Sequence, residues 1–382
     1  MPFKYNGIIR FQIKVVNSNI FQLKKSAMKK ISFTKLAASL LFVLLSATAF
    51  AQVTLPRTPS PAAMVSQTVG ISTITVKYSR PSVKGREIWG ALVPYGWNIQ
   101  APGPGNSAPW RAGANENTVI QFSHNAKVEG HDVPAGTYGL FFVINKDNTG
   151  EVVLSKDYKS WGSFFYDPKA DELKTNITLR TIPQTEMLTY DFINNIKTST
   201  ELVLNWEKKQ FPVKIEFAVD DIVMANAAQE LRGQAAFNYL GFLSAANYAL
   251  QNKVNYDQAL TWIDQAIVRN NTLPVITVKS NILKEMGKTE EADKIMSDAV
   301  ANANENDLNT YAYQLLGGGQ VDKAILMFIL NTQRHPKSAN VWDSLGEGYA
   351  TKGDKKNAIA SFKKSDGYSL IRNLFLINAR FS

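Results

Sequence analysis

The spacing of apolar residues changes once along this chain, near residue 220, and that change constrains the fold more than any other feature. Before it, apolar and polar residues alternate, as at Ile74, Val76 and Tyr78, which is typical of half-buried strands. After it, helix-forming residues dominate. A chain of 382 residues is long enough for two domains, each with its own core. We therefore predict a β-rich domain over 60–218 and a helical domain over 220–382.

The alternation recurs in short segments of the first part, separated by turn sequences such as 145–150. No helical pattern intervenes between these segments. Short strands at this spacing favour an antiparallel β-sandwich or a jelly-roll-like barrel. Apolar residues alternate at 138–144, 173–179, 188–192, 202–206 and 213–217.

The helical part contains a repeat of about 33 residues. Trp342, Leu345, Gly346 and Tyr349 fit the W-x2-L-G-x2-Y pattern of the tetratricopeptide repeat. Alanines that allow close packing of paired helices recur at the same period, and glycines mark three of the turns. These residues are Ala259, Ala292, Ala324 and Ala358, with Gly287, Gly319 and Gly353. They predict a tetratricopeptide-like solenoid of about three and a half repeats, with a capping helix at 371–379.

A secretory leader is predicted at 28–51. Met28 is followed by lysines, an apolar run, and small residues at Ala49 and Ala51. We expect cleavage after Ala51 and export to the periplasm or the extracellular space. No membrane anchor is expected after cleavage, because the apolar run of about ten residues is too short to span a bilayer; an uncleaved anchor is the alternative. Residues 1–27 fit poorly before a leader, so we predict that translation begins at Met28.

The formal net charge of +10 would suggest a nucleic-acid partner, but much of this charge lies in residues 1–51. Residues 1–51 hold eight of the 42 basic residues and no acid, which leaves 34 basic against 32 acidic residues, a net charge of +2. A nearly neutral protein lacks the field that drives binding to phosphate backbones, so no nucleic-acid partner is predicted. The sequence has no cysteine and three histidines, which argues against thiolate or histidine-rich metal sites. We predict no metal and no cofactor; a metal site made of carboxylates is the alternative.

A series of motifs rich in Pro, Gly, Trp and Arg runs through the first part of the chain. They read SRPSVKGR at 79–86, IWG at 88–90, LVPYG at 92–96, WRAGANE at 110–116, VPAGTYGLF at 133–141 and WG at 161–162. In this order they resemble the bacterial family known as domain of unknown function 2911. The stretch 97–109 departs from the family as an insertion that looks too polar and broken for a regular element. The resemblance implies an exported β-rich domain and brings no activity with it.

Cations concentrate in two of these motifs. Between Lys77 and Arg111 there are five cations and one acid, whereas 60–220 is balanced at sixteen of each. Such a set suits recognition of a carboxylate, a phosphate or an acidic sugar. The candidate ligand residues are Arg80, Lys84, Arg86, Trp110, Arg111, Asn115 and Glu116. The alternative is structural, with arginines donating to backbone carbonyls and Trp89 and Trp110 plugging the sandwich.

The functional prediction is an exported, non-enzymatic binding protein. The helical repeats are expected to bind a protein or peptide, and the β domain an anionic small molecule or a glycan. No catalytic constellation is found, so no catalytic residue is predicted. The alternative is an envelope hydrolase of saccharides with Glu116 as the acid/base, which needs a second carboxylate within about 10 Å. A third possibility is a β domain that is purely structural, with only the repeats acting.

Overall fold

The computed structural model describes residues 59–100 and 103–378, with side chains described as far as residue 368. Strands occur between residues 62 and 216, and helices follow from residue 219. This confirms the predicted fold class, a β-sandwich followed by an α-helical solenoid. The predicted leader and residues 1–27 lie outside the described residues, so export stays a prediction.

Twelve strands are present in the described part of the chain. They are β1 (Ala62–Val69), β2 (Ser72–Ser79), β3 (Asn98–Ile99), β4 (Ser107–Ala108), β5 (Val119–Phe122), β6 (Ala126–Val128), β7 (His131–Val133), β8 (Gly136–Ile144), β9 (Thr149–Ser155), β10 (Asp171–Thr178), β11 (Arg180–Ile193) and β12 (Ser199–Glu216). One sheet has the order β1-β2-β5-β8-β9-β10, and the other has the order β11-β12-β6-β7. The paired strands are antiparallel, and β3 and β4 form a separate short ladder.

The main core lies between the two sheets, where the alternating apolar side chains meet. Ile74, Val76 and Tyr78 of β2 are all buried, as their spacing predicts, and they belong to one cluster with Leu204 and Trp206 of β12. Burying one such side chain stabilises the fold by about 1.5–3 kcal/mol relative to leaving it exposed. The period-two pattern therefore determines which face of each strand supports the sandwich.

Trp97 and Ala108, from the stretch 97–109, cover the outer face of β8. Successive residues of a strand point to opposite faces, yet Phe141 and Phe142 are both buried. Phe142 lies in the main core, whereas Phe141 packs in a second cluster with Trp97 and Tyr166. The prediction that this stretch holds no regular element was wrong, because β3 and β4 pair within it.

Nine α-helices follow within the described residues. They are α1 (Val219–Glu230), α2 (Tyr239–Asn252), α3 (Tyr256–Arg269), α4 (Leu273–Glu285), α5 (Thr289–Asn302), α6 (Glu305–Gly317), α7 (Val321–Arg334), α8 (Ala339–Lys352) and α9 (Lys355–Asn378). After α1 they pack as four consecutive pairs, from α2–α3 to α8–α9. None of the described helices is both long and apolar enough to cross a membrane.

The repeat residues occupy equivalent places in these pairs. The four predicted alanines lie on the second helix of each pair and are all buried. Gly287, Gly319 and Gly353 have φ values of 78°, 74° and 83° at the turns between paired helices, a conformation that glycine adopts without strain. The separate capping helix predicted at 371–379 is not formed, since residues 371–378 continue α9 without a break.

Candidate functional site

Two loops that carry the predicted site residues are held against the sandwich by backbone hydrogen bonds. The loop after β2 pairs with β11, because Val83 N donates to Glu186 O at 2.8 Å. The loop before β5 pairs with β8, because Trp110 N donates to Phe142 O at 2.8 Å and Phe142 N donates to Trp110 O at 2.9 Å. Long-range pairing therefore brings together loops that lie apart in the sequence.

A cavity of about 550 Å³ lies between these loops and the strands. Five of the seven predicted residues line it, namely Lys84, Arg86, Trp110, Arg111 and Asn115. Its interior is formed by buried side chains, including Phe142 and Trp206, while Lys84 and Arg86 are exposed. The stretch 97–109 also lines the cavity, through Asn98 and Gln100.

Arg80 does not line the cavity. Its Nε donates to Leu188 O at 3.0 Å, and its Nη2 donates to Thr189 Oγ1 at 2.6 Å. Both partners belong to β11, so Arg80 ties the loop after β2 to that strand. The structural alternative accounts for these contacts of Arg80, and a ligand-binding role for it stays a prediction.

Arg86 and Arg111 each form hydrogen bonds within their own loop and also line the cavity. Arg86 donates through Nε to Val83 O at 3.0 Å and through Nη2 to Ser82 O. Arg111 donates through Nη1 to Asn115 O at 2.6 Å, and its guanidinium lies 5.1 Å from the centre of the Phe164 ring. Burial lowers the pKa of Arg111, but a group with an ordinary pKa above about 12 stays charged at neutral pH. Both arginines therefore shape their loops and also present positive charge to the cavity.

Glu116 lies outside this cavity. It lines a shallow groove along β1 and β2 together with Lys77 and Asn117. Among the described residues, no second carboxylate lines that groove. The part of the chain that the structure describes also contains no group of three or more His, Asp or Glu side chains arranged to hold a metal ion.

Tryptophans form one side of the cavity. Trp110 stacks on Trp206 with ring centres 5.8 Å apart and planes 13° apart, and Trp89 meets both rings edge-on. Trp89 also donates through Nε1 to Glu207 Oε2 at 3.2 Å. Trp89 thus packs into the sandwich, as the structural alternative predicts, whereas Trp110 both packs and lines the cavity.

Sequence reasoning missed Trp206 as a site residue. The side chain is 1% exposed, and its Nε1–H has no hydrogen-bond acceptor among the described residues. The alternation at 202–206 placed Trp206 on an inward face, which indicates core and carries no signal for a cavity. The neighbouring Glu207 has a φ of 51°, and such a local irregularity beside a strand residue is typical of a bulge.

Comparison with known proteins matches each half of the chain separately. The family model described as protein of unknown function (DUF2911) matches residues 60–215, which confirms the resemblance predicted from the motifs. Among solved structures, the chain is similar to MamA with 15% identity, a TM-score of 0.24, and coverage of 41% of this chain and 91% of that chain. Among curated proteins, none matches the sequence.

Two further solved structures are similar to the chain. One is YrrB, described as a TPR protein with an unusual peptide-binding site, with 17% identity, a TM-score of 0.23, and coverage of 42% of this chain and 84% of that chain. The other is PilF of Pseudomonas aeruginosa, with 18% identity, a TM-score of 0.23, and coverage of 36% of this chain and 63% of that chain.

Proposed function

We propose that this chain, whose residues 60–215 match the model of the family DUF2911, is an exported, non-enzymatic binding protein whose helical repeats take a peptide segment of a partner protein. The observation that carries the proposal is a row of side chains on the first helices of the four pairs. Counting back by the same number of residues from the buried alanine of each pair gives four equivalent positions. They are Tyr248, Asn281, Tyr313 and Glu347. Export, with cleavage after the leader, is part of the proposal.

Two positions of the row are in direct contact, where α6 meets α8. Tyr313 donates through its hydroxyl to Glu347 Oε2 at 2.8 Å, so equivalent positions of α6 and α8 lie side by side. Exposed polar residues one and two turns away extend the row on the same helices. These are Asn306 and Thr310 on α6 and Asn340 and Asp343 on α8. Amides and carboxylates supply the donors and acceptors that a peptide backbone requires.

The last pair adds negative charge to this row. The pKa of Asp343 is raised by burial first, and then by the negative charges of Glu347 and Asp366. Carboxylates that repel one another are relieved when a positive charge comes near. The proposal therefore includes a basic residue of the peptide opposite α8.

The test is affinity capture from envelope extract with the full chain and two double variants. Asn281→Arg with Asn340→Arg adds bulk and positive charge at exposed positions of the row. Ser297→Arg with Gln333→Arg adds the same groups to exposed positions of the second helices α5 and α7. We expect the row variant to lose a partner that the wild type and the control retain. Retention of every partner by the row variant, or equal loss by the control, would contradict the proposal.

The cavity favours a second binding function in the β domain. Its volume of about 550 Å³ falls within the range of small-molecule sites, roughly 300–1,000 Å³. The proposed ligand of the cavity is an anionic small molecule or a glycan. Hydrolysis with Glu116 as the acid/base receives less support, because Glu116 lines a different groove from Lys84, Arg86 and Arg111.

A further inference from the structure

We propose that the cavity of the β domain binds a small organic anion, with its carboxylate or phosphate facing Lys84 and Arg86 and its apolar body against Trp110 and Trp206. This inference rests on the proposed ligand-binding role of the β domain and selects an anion over a neutral glycan.

The charged residues that line the cavity are all positive. Lys84, Arg86 and Arg111 contribute three positive charges, and no aspartate or glutamate is among the described residues that line the cavity. Guanidinium and ammonium groups donate hydrogen bonds and cannot accept them. The site therefore matches a ligand rich in acceptor oxygens better than a neutral sugar, whose hydroxyl groups also need acceptors.

Lys84 is available to a ligand. Its side chain is exposed, and in the described part of the chain its ammonium group forms no hydrogen bond or ion pair. Its backbone is nevertheless fixed, because Lys84 N donates to Glu186 Oε1 at 2.9 Å and its φ is 48°. A non-glycine residue held at positive φ is uncommon and is a reason to look for function.

Trp206, which lines the cavity, carries a buried donor that has no acceptor among the described residues. Trp206 is almost fully buried, and its Nε1–H has no partner among the described residues. A buried N–H without an acceptor is rare and costs the free energy of removing it from water. A ligand bound against the Trp206 ring would change the surroundings of this donor, so its N–H resonance reports on occupancy of the cavity.

Arg111 strengthens the preference for an anion. It is half-buried, and in the described part of the chain it forms no ion pair with a carboxylate. Charges attract more strongly where surrounding protein excludes water. A ligand anion would therefore balance a positive charge that the described side chains leave uncompensated, while Asn115 O keeps the guanidinium in place.

The test measures binding of four probes to the full chain by calorimetry and by the indole N–H resonance of Trp206. Phenyl phosphate and benzoate carry the two anionic groups, whereas benzyl alcohol and glucose are neutral. The Trp206 resonance is assigned by its loss in Trp206→Phe. We expect at least one anion to bind saturably and to shift this resonance, while the neutral probes bind more weakly.

Matched lysine variants locate the anion. Lys84→Met is expected to weaken binding of the anion about tenfold. Lys77→Met removes an exposed lysine from the other groove and should leave binding unchanged. Equal weakening by both variants would overturn the placement at Lys84.

The remaining outcomes separate the two proposals. If glucose binds and neither anion does, the choice of an anion is overturned and a ligand-binding role of the cavity stands. If no probe moves the Trp206 resonance, the anion site is overturned, while peptide binding by the repeats is judged separately by the row variants.

Discussion

At the scale of single residues, the arginines of the two motifs make different contacts. Arg80 donates two hydrogen bonds to β11, whereas Arg111 bridges its own loop and the stretch around Phe164. Gly162 permits this bridge, since a Cβ there would lie 2.4 Å from the Arg111 guanidinium carbon. Its φ of 63° is also one that glycine adopts readily. Arg111 is therefore a structural residue that also faces the cavity.

The first stability prediction concerns Arg111→Met. We expect the free energy of unfolding to fall by about 1.5–3 kcal/mol, the usual contribution of a hydrogen bond to a charged group. Lys84→Met should change it by less than about 0.5 kcal/mol, because Lys84 is exposed. Urea unfolding of both variants measures the difference. A similar small change in both would show that the contact between Arg111 and Asn115 contributes little.

At the scale of elements, one buried aromatic side chain joins two neighbouring helix pairs. Phe328 of α7 is fully buried and meets Tyr313 of α6 edge-on at 5.0 Å. Gly348 of α8 leaves room for it, since a Cβ at that glycine would lie 3.0 Å from the Phe328 ring. Phe328 thus joins α6, α7 and α8, which is the contact between neighbouring units that stabilises a solenoid.

The second stability prediction concerns Phe328→Ala. Removing a buried phenylalanine leaves a cavity and is expected to cost about 3–5 kcal/mol. Hydrogen exchange should show faster exchange in α6, α7 and α8 while the sandwich strands keep their protection, because repeats contact only their neighbours. Leu326→Ala is the control, since Leu326 lies on the same helix and is 60% exposed. Faster exchange in the sandwich strands would show that the two halves unfold together.

At the scale of the whole molecule, a small polar network joins the sandwich to the repeats. Lys197, between β11 and β12, donates through Nζ to Asp220 Oδ1 at 3.0 Å and to Asn252 Oδ1 at 2.8 Å. Tyr248 of α2 donates through its hydroxyl to Asp220 Oδ1 at 2.7 Å. Because Asp220 lies in the first turn of α1, this one carboxylate connects the sandwich with two helices.

The third prediction concerns the pH dependence of this junction. The hydrogen bond from Tyr248, followed by Lys197, lowers the pKa of Asp220, and burial followed by Asp220 raises the pKa of Tyr248 to about 12. A lowered acid pKa means that the stabilisation is present above the ordinary value near 4 and is lost as the pH falls through the folded value. Asp220→Asn should therefore speed hydrogen exchange in α1 and α2 at neutral pH and have less effect in acid.

Asp221→Asn is the matched control for this prediction. Asp221 is the next residue of the same helix turn and is exposed, so its replacement should leave exchange in α2 unchanged. An effect of Asp220→Asn that is equally large in acid would mean that the carboxylate charge does not hold the junction together.

Much of the architecture follows from local spacing. Alternation predicted the buried faces of β2, β8 and β12, and the alanine period predicted the helix pairs, because both patterns depend on residues that are near one another in the chain. The contacts of the stretch 97–109 do not follow from local spacing. Trp97 and Tyr166 are separated by the whole of 98–165, and nothing in either segment alone indicates that they cover the same face of β8.

The change of apolar period near residue 220 determined by itself that a sandwich is followed by a helical array. Which residues face the cavity was decided only by the tertiary structure. Arg80 and Arg86 look alike in the sequence, but the pairing of the first loop with β11 directs Arg80 to a residue 108 positions away, while Arg86 lines the cavity. Strand period is a local property of the chain, whereas a cavity is formed by long-range pairing, and this is why Trp206 became recognisable as a site residue only in the folded protein.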